Sequence, residues 1–486
     1  MKNKLFYGDC LSVMQDKMKP ESIDLIYLDP PFNSNKTYNV IYKDSTGRPL
    51  PENVEAFCDM WEIDDEKERI IQKMPILMMK SGIDKSAAEL WQLWMQALRN
   101  TQPKLLAYLA YMTERLLQMK LILKPTGSFF YHCDPTASHY IKIILDAIFG
   151  HQNFTNEIVW CYKSGGASSY YFAKKHDIIF YYRMSKENFT YNNEKEKSYM
   201  GKNYKTGNKK VKLYNDNKGI YTLVNPKDWW QISMMATSSK KRMGYDTEKP
   251  PALLEKIIKA SSNEEDIIFD PFCGCATTLI SAHKLNRQWV GIDIAYHAID
   301  KISRNRLSRD NALAEGIDYE IDGIPNTMES AMALWEKDKY QFQKFFVEYI
   351  GGFVSSKKSN DGGVDGVLYW ADEGNTKNLH KMIIEVKGGE NIAKSVIRDL
   401  RGTMEKTGAQ MAGLIVRDIG DIQKRNFIQE MAQAGDYQGK RERPYTRMQL
   451  LTIDEIIAGK RFDTPDPENI TIKGAKQGVL PVGDTR

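Results

Sequence analysis

Early in the chain, Asp24-Leu25-Ile26-Tyr27-Leu28 is a near-continuous apolar run, the pattern of a strand covered on both faces. It stops at Asp29, because Pro30 and Pro31 have no N–H to continue a ladder and force a rigid loop. Leucines and methionines recur at helical spacing over residues 104 to 122, Pro125-Thr126-Gly127 breaks that pattern, and Ser128-Phe129-Phe130-Tyr131-His132 reads as the next strand. A second unit opens with Pro251 at a helix start and runs through the strand Ile267-Ile268-Phe269 and a helix over about 276 to 285. It ends on the strand Trp289-Val290-Gly291-Ile292. This alternation predicts an α/β fold with a parallel sheet for residues 1–325. From about 160 to 240 the chain turns polar and rich in lysine and tyrosine, with Trp229-Trp230 near the end, and is expected to be an insertion rather than core. A smaller α/β domain is expected over 326–465. It has a helix around Tyr340 to Ile350, strands Val364 to Trp370 and Met382 to Lys387, a helix over about 392 to 405 and a strand at Ala412 to Val416. Residues 466–486 read as a loose tail.

At 486 residues the chain is too long for one ordinary core, which agrees with two or three domains. No stretch approaches the roughly 18 consecutive apolar residues of a membrane span, and Met1-Lys2-Asn3-Lys4 runs into a strand without a leader pattern. A cytoplasmic protein with no membrane partner is expected. The six cysteines are scattered, and Cys273 and Cys275 have no second pair at zinc-ligand spacing, so reduced thiols filling a loop are expected rather than a metal site. The net charge of +5 is mild but unevenly spread. Lys174, Lys175, Lys195, Lys197, Lys202, Lys205, Lys209, Lys210, Lys212 and Lys218 crowd the polar segment, either to meet phosphate or as a solvated loop.

Asp29-Pro30-Pro31-Phe32 suits one demanding reaction. An exocyclic amino nitrogen on a nucleobase is a poor nucleophile, because its lone pair is delocalised into the ring. Two acceptors can pull the pair back: the Asp29 carboxylate and the Pro30 carbonyl can hold both N–H groups while the lone pair turns outward. Pro30 and Pro31 fix the backbone, and Phe32 offers a flat face to a base that has left the duplex. The plain alternative is a strand ending. A second loop, Asp270-Pro271-Phe272-Cys273-Gly274-Cys275-Ala276-Thr277, joins a strand to a helix, and Asp293 closes the following strand. Small residues admit a close ligand and an acid at a strand end suits ribose hydroxyls, so a nucleoside-bearing cofactor fits.

In this order the motifs resemble those of S-adenosylmethionine-dependent amino-methyltransferases of DNA in their β arrangement, over roughly residues 1 to 310. The resemblance implies a Rossmann-like domain in which Asp29, Pro30, Pro31 and Phe32 form the catalytic motif, while Asp270, Phe272, Gly274 and Asp293 belong to the cofactor site. It further implies that Lys249, in Thr247-Glu248-Lys249-Pro250, meets the donor's carboxylate and that Asp9 lies near its adenine ring. Ala276 stands where the family has a second glycine. The basic segment falls where the target-recognition region belongs, which implies double-stranded DNA as partner, with a homodimer admitted. Aspartate at the first motif position implies N6 of adenine as target; N4 of cytosine and protein targets are the runners-up.

In the C-terminal domain, Asp361-Gly362-Gly363-Val364-Asp365-Gly366 enters one strand and Glu385-Val386-Lys387 ends the next. Two carboxylates on adjacent strands can bind a hard divalent cation, and a lysine can orient water or steady charge on a phosphodiester. With Gln341-Phe342-Gln343-Lys344-Phe345-Phe346, these segments resemble the Mrr-type restriction endonuclease domain of the PD-(D/E)xK superfamily. That resemblance implies Mg²⁺ held by Asp365, Glu385 and the Val386 carbonyl, Lys387 acting on the attacking water, and Glu348 as an extra acid. Three readings follow: a combined restriction and modification protein, a methyltransferase with an inactive nuclease-like clamp, or a nuclease that needs methylated DNA.

Overall fold

The computed structural model describes residues 3–31, 37–40, 43–44, 54–58, 61–162, 169–199, 212–234, 248–308, 311–355, 363–372, 375–439, 443–465 and 470–471. Its main sheet has nine strands. In chain order they are β1 (Asn3–Tyr7), β2 (Ile23–Leu28), β3 (Leu123–Cys133), β4 (Phe154–Cys161), β5 (His176–Arg183), β6 (Trp229–Gln231), β7 (Ile267–Asp270), β8 (Gln288–Asp293) and β9 (Tyr319–Asp322). They lie in the order β6-β4-β5-β3-β2-β7-β8-β1-β9. The run from β3 to β9 is parallel, as the apolar strands anticipate, and β5 is antiparallel to both its neighbours. Strand alternation assigns the two faces to separate cores. Leu25 and Tyr27 enter one apolar cluster, while Ile26 and Leu28 enter another beneath the helix α1 (Pro103–Ile122).

Two expectations need correction. The helix ends at Ile122 as expected, but the strand expected from Ser128 starts at Leu123, so Pro125-Thr126-Gly127 lies inside β3, where a bulge opposite Ile23–Leu25 absorbs the residues that cannot pair regularly. The segment from 160 to 240 is not all insertion, because β5 crosses the main sheet with Ile178 to Tyr182 buried. The portion standing apart carries a small antiparallel sheet of Glu196–Tyr199, Tyr214–Asp216 and Gly219–Val224. Lys174, Lys195, Lys197, Lys212 and Lys218 are exposed and Lys175 is half-buried, whereas Lys202, Lys205, Lys209 and Lys210 lie outside the described residues. Of the tail, only Ile470–Thr471 is described, and it pairs with Lys43–Asp44.

A second sheet contains β10 (Phe353–Val354), β11 (Gly366–Asp372), β12 (Asn375–Lys387), β13 (Met411–Val416) and β14 (Met448–Thr452) in that order. One face is covered by α3 (Ser395–Lys406) and its neighbour Asp421–Ala432. The other face joins the cluster that holds Leu25 and Tyr27, through α2 (Lys339–Tyr349). Phe345 on α2 lies against Tyr7 and Tyr296, with ring centroids 5.4 and 5.2 Å away. Gln341 Nε2 donates to Tyr7 Oη and to the Ile294 carbonyl, both at 2.7 Å. The two sheets therefore share one hydrophobic interior. Truncating Phe345 to alanine should remove about 3–5 kcal/mol from that shared core and split thermal unfolding into two transitions. A single calorimetric transition within about 1 °C of the parent contradicts this coupling.

Candidate active site

Four neighbouring parallel strands, β2, β7, β8 and β1, finish on one edge of the main sheet, and each is closed by an aspartate: Asp29, Asp270, Asp293 and Asp9. Ligands of open α/β sheets sit at this carboxyl edge. Like charges in so small a volume need fixed partners, and each acid has a different set.

Asp29 Oδ2 accepts a hydrogen bond from Lys249 Nζ, and the two side chains are only 14 % and 10 % exposed. Lys249, which the family resemblance assigns to the donor's carboxylate, thus lies on Asp29. It is delivered there by the extended Pro250 that precedes the helix Pro251–Ser261. Asp29 Oδ1 is buried without a hydrogen-bond partner among the described residues and lies 3.9 Å from His132 Nδ1. Pro30 is buried, Pro31 is half-buried, and Phe32 lies outside the described residues.

Asp270 accepts from Phe272 N at 3.0 Å and from Thr278 Oγ1 at 2.6 Å. Burial, with the Asp29 and Asp293 carboxylates adding to it, pushes its pKa up to about 7 against those donors. Asp293 Oδ2 accepts from Gly274 N and Oδ1 from Ala295 N, both at 2.9 Å, and burial raises this carboxyl as well. Phe272 and Gly274 are half-buried at the turn. Gly274 and Ala276 have φ of +48° and +58°, so the loop turns through the left-handed region twice. At Ala276 that conformation costs a side chain roughly 1–2 kcal/mol, the penalty a glycine avoids. Turning without bulk and flanked by an acid, this loop fits a nucleoside-bearing group.

Asp9 is differently employed. Its Oδ1 caps the helix Cys10–Lys17 through Leu11 N and Ser12 N, and its Oδ2 receives Arg115 Nη2 at 2.5 Å. Both of its carboxylate oxygens, like those of Asp293, are engaged within the fold.

In the second sheet Asp365 and Glu385 come together on β11's entry and β12, as their spacing anticipates. Asp365 Oδ2 accepts from Val386 N at 2.7 Å, and Lys387 Nζ is 2.7 Å from Glu385 Oε1. Glu385 is buried, which raises its carboxyl, and its Oε2 has no hydrogen-bond partner among the described residues. An orphaned carboxylate oxygen beside a second acid fits a divalent cation. The Val386 carbonyl accepts weakly from Gln343 Nε2 at 3.4 Å. Glu348 is not part of this centre: its Oε2 accepts from His297 N at 3.2 Å, on the main-sheet side of α2. Asp361 and Gly362 lie outside the described residues.

Several residues that position these groups had no motif to announce them. Arg306 Nη1 is 3.0 Å from Glu248 Oε1 and donates to the Cys275 carbonyl at 3.0 Å and Thr277 Oγ1 at 2.8 Å, tying the Lys249 segment to the Gly274 loop. Behind Asp29, His132 meets Tyr27 and Asp177. The one available signal is a histidine in the apolar end of the strand beside the one that Asp29 follows.

Residues 23–304 match the sequence model of the DNA methylase family, and residues 334–423 match that of a restriction endonuclease family. The Type II methyltransferase M.HpaI of Haemophilus parainfluenzae is 28% identical over 252 residues, which cover 52% of this chain and 73% of that protein. The DNA adenine methyltransferase YhdJ of Escherichia coli strain K12 is 23% identical over 301 residues, covering 60% of this chain and 78% of its own. Among solved structures, that of the M1.HpyAVI–SAM complex has a TM-score of 0.35 at 15% identity and covers 63% of this chain and 98% of its own.

The Asp270 carboxyl sets a pH dependence. Folded, it keeps its proton up to about pH 7, whereas its ordinary value is 3.8, so the folded state loses stability as pH rises through that window. Asp270→Asn lacks this loss. Its melting temperature relative to the parent should climb by at least about 2 °C between pH 5 and pH 8, and a flat difference contradicts the assignment.

Proposed function

Because the chain belongs to the DNA methylase family of N6 and N4 amino-methyltransferases and carries a restriction endonuclease-like domain after it, we propose that it methylates N6 of adenine in double-stranded DNA and cuts DNA lacking that mark. S-adenosylmethionine is the donor in this reading, and when bound it supplies an electrophilic methyl group on sulfur. Gly274 and Phe272 line its loop, Asp293 suits its ribose hydroxyls, and Asp270 holds the loop from beneath.

The observation that carries the reading is the division of labour in Asp29. Lys249 holds Oδ2, which leaves Oδ1 as the oxygen for an incoming N–H, and the carbonyl of Pro30 is the second acceptor supplied by the motif. With both N–H groups held, the amino lone pair turns toward the donor methyl. The N–CH₃ bond forms as the C–S bond breaks, and the nitrogen then sheds one proton. Support for adenine comes from aspartate at the first motif position and from a relative named as a DNA adenine methyltransferase.

For the second sheet, Asp365, Glu385 and the Val386 carbonyl would hold Mg²⁺, and Lys387 would act on the attacking water. Asp365→Asn keeps an acceptor for Val386 N while removing the charge. With labelled S-adenosylmethionine this variant should label plasmid DNA at the parent rate, and with Mg²⁺ its cleavage of unmethylated plasmid should fall about 100-fold or more. Equal cleavage by variant and parent contradicts the nuclease assignment. Cleavage confined to pre-methylated plasmid favours the methylation-dependent reading instead.

A further inference from the structure

His132 closes β3 with its ring fully buried between two carboxylates that belong to different strands. Its Nε2 is 3.2 Å from Asp177 Oδ2 at the start of β5, and its Nδ1 is 2.8 Å from Tyr27 Oη on β2. Asp177 is ionised with ease, since burial, which raises its carboxyl, is outweighed by His132, Lys249 and Tyr162, leaving it below its ordinary value. A carboxylate only accepts, so Nε2 carries the hydrogen and Nδ1 is left as the acceptor for the Tyr27 hydroxyl. That tautomer turns the basic nitrogen toward Asp29, whose partnerless Oδ1 lies 3.9 Å away. Beyond His132, Asp177 Oδ1 accepts from Tyr162 Oη at 3.0 Å, and the Asp177 side chain is 14 % exposed.

Resting on the methyl-transfer reading of Asp29, we infer that Asp29, His132 and Asp177 form a proton exit from the target amino group, with His132 as the positioning residue at its centre. The proton released by the methylated nitrogen goes to Asp29 Oδ1 and then, as the Tyr27 hydroxyl turns away and frees the lone pair it held, to His132 Nδ1. The proton on Nε2 passes to Asp177 Oδ2 and on to water, so one proton leaves for each methyl group gained. Lys249 gives this route its purpose: with Oδ2 held by the lysine, Oδ1 is the oxygen left to receive the proton, and the neighbouring imidazole is the next group that can take it. In the intermediate state the imidazolium lies between two carboxylates, as a charge in that position requires.

Among the described residues, the ring is faced by Tyr27 and Asp29 from β2 and its loop, Asp177 from β5, and the Trp160 ring from β4 at 5.5 Å between centroids. Tyr162 and Lys249 act on it through Asp177 and Asp29, and Asp134 raises no direct contact but adds its charge near Asp177. Trp160 contributes no proton. A hydrogen already on Nδ1 blocks the route, because that nitrogen then donates to Asp29 Oδ1 instead of receiving from it.

The test is single-turnover methyl transfer to pre-bound DNA across pH, comparing the full-length parent with His132→Gln and Asp177→Asn. His132→Gln should transfer about 100-fold more slowly with DNA affinity held within about 2-fold, and the acid limb of the parent profile should move to lower pH. Asp177→Asn donates to Nε2, forces the hydrogen onto Nδ1 and should slow transfer about 10-fold; it decides the matter if His132→Gln does not fold. Parent-like rates overturn the inference, as does a loss equal at every pH with the acid limb unmoved, which is the behaviour of a merely structural histidine. A parent protein that places no methyl group on DNA overturns the reading of Asp29 itself, and the exit route with it.

Discussion

The ion pair between Lys249 and Asp29 is the contact on which the carboxyl edge of the main sheet depends. Parallel strands deliver four aspartates to that edge, and a low-dielectric rim cannot hold four bare charges. Each acid is settled in its own way: Asp9 by a helix N-terminus and Arg115, Asp293 by two backbone N–H groups, Asp270 by a pKa raised to about 7, and Asp29 by one lysine on one oxygen. Only Asp29 thereby keeps an oxygen turned inward and unengaged among the described residues. The prolines on either side of the pair, Pro30 and Pro250, hold the two chains so that the side chains meet.

The helix Lys339–Tyr349 gives the second sheet its place in this scheme. Gln341 and Glu348 grip the segment after Asp293, through the Ile294 carbonyl and His297 N, while Gln343 reaches the Val386 carbonyl between Glu385 and Lys387. One helix thus touches the segment that follows Asp293 and the strand that carries Glu385. Phe345 and its aromatic neighbours make this junction part of a core rather than a hinge, so the two centres are held in a fixed relation.

Much of this was legible in the chain. Apolar runs ended by Asp29, Asp270 and Asp293 give the parallel strands, because strands buried on both faces leave no room for alternation. Asp365, Glu385 and Lys387 could be placed together, since one strand pair brings them there. The strand His176–Arg183 escaped notice because lysine-rich segments flank its five buried residues and gave the whole region a polar character. His132 escaped for a different reason: Tyr27 and Asp177 lie 105 and 45 residues from it, and no spacing rule reports neighbours made by strand order. Glu348 was assigned to the nuclease centre from its helix, but helical periodicity does not say which side of α2 faces which sheet, and its face lies against His297.

The central claim is that Asp29, divided between Lys249 and an incoming amino group, directs methyl transfer to N6 of adenine. Its most direct test is nucleoside mass spectrometry of DNA from cells expressing the parent or the Asp29→Ala chain. The account predicts N6-methyldeoxyadenosine with the parent and none above background with the variant. N4-methyldeoxycytidine alone, or equal N6 methylation by both chains, would contradict it.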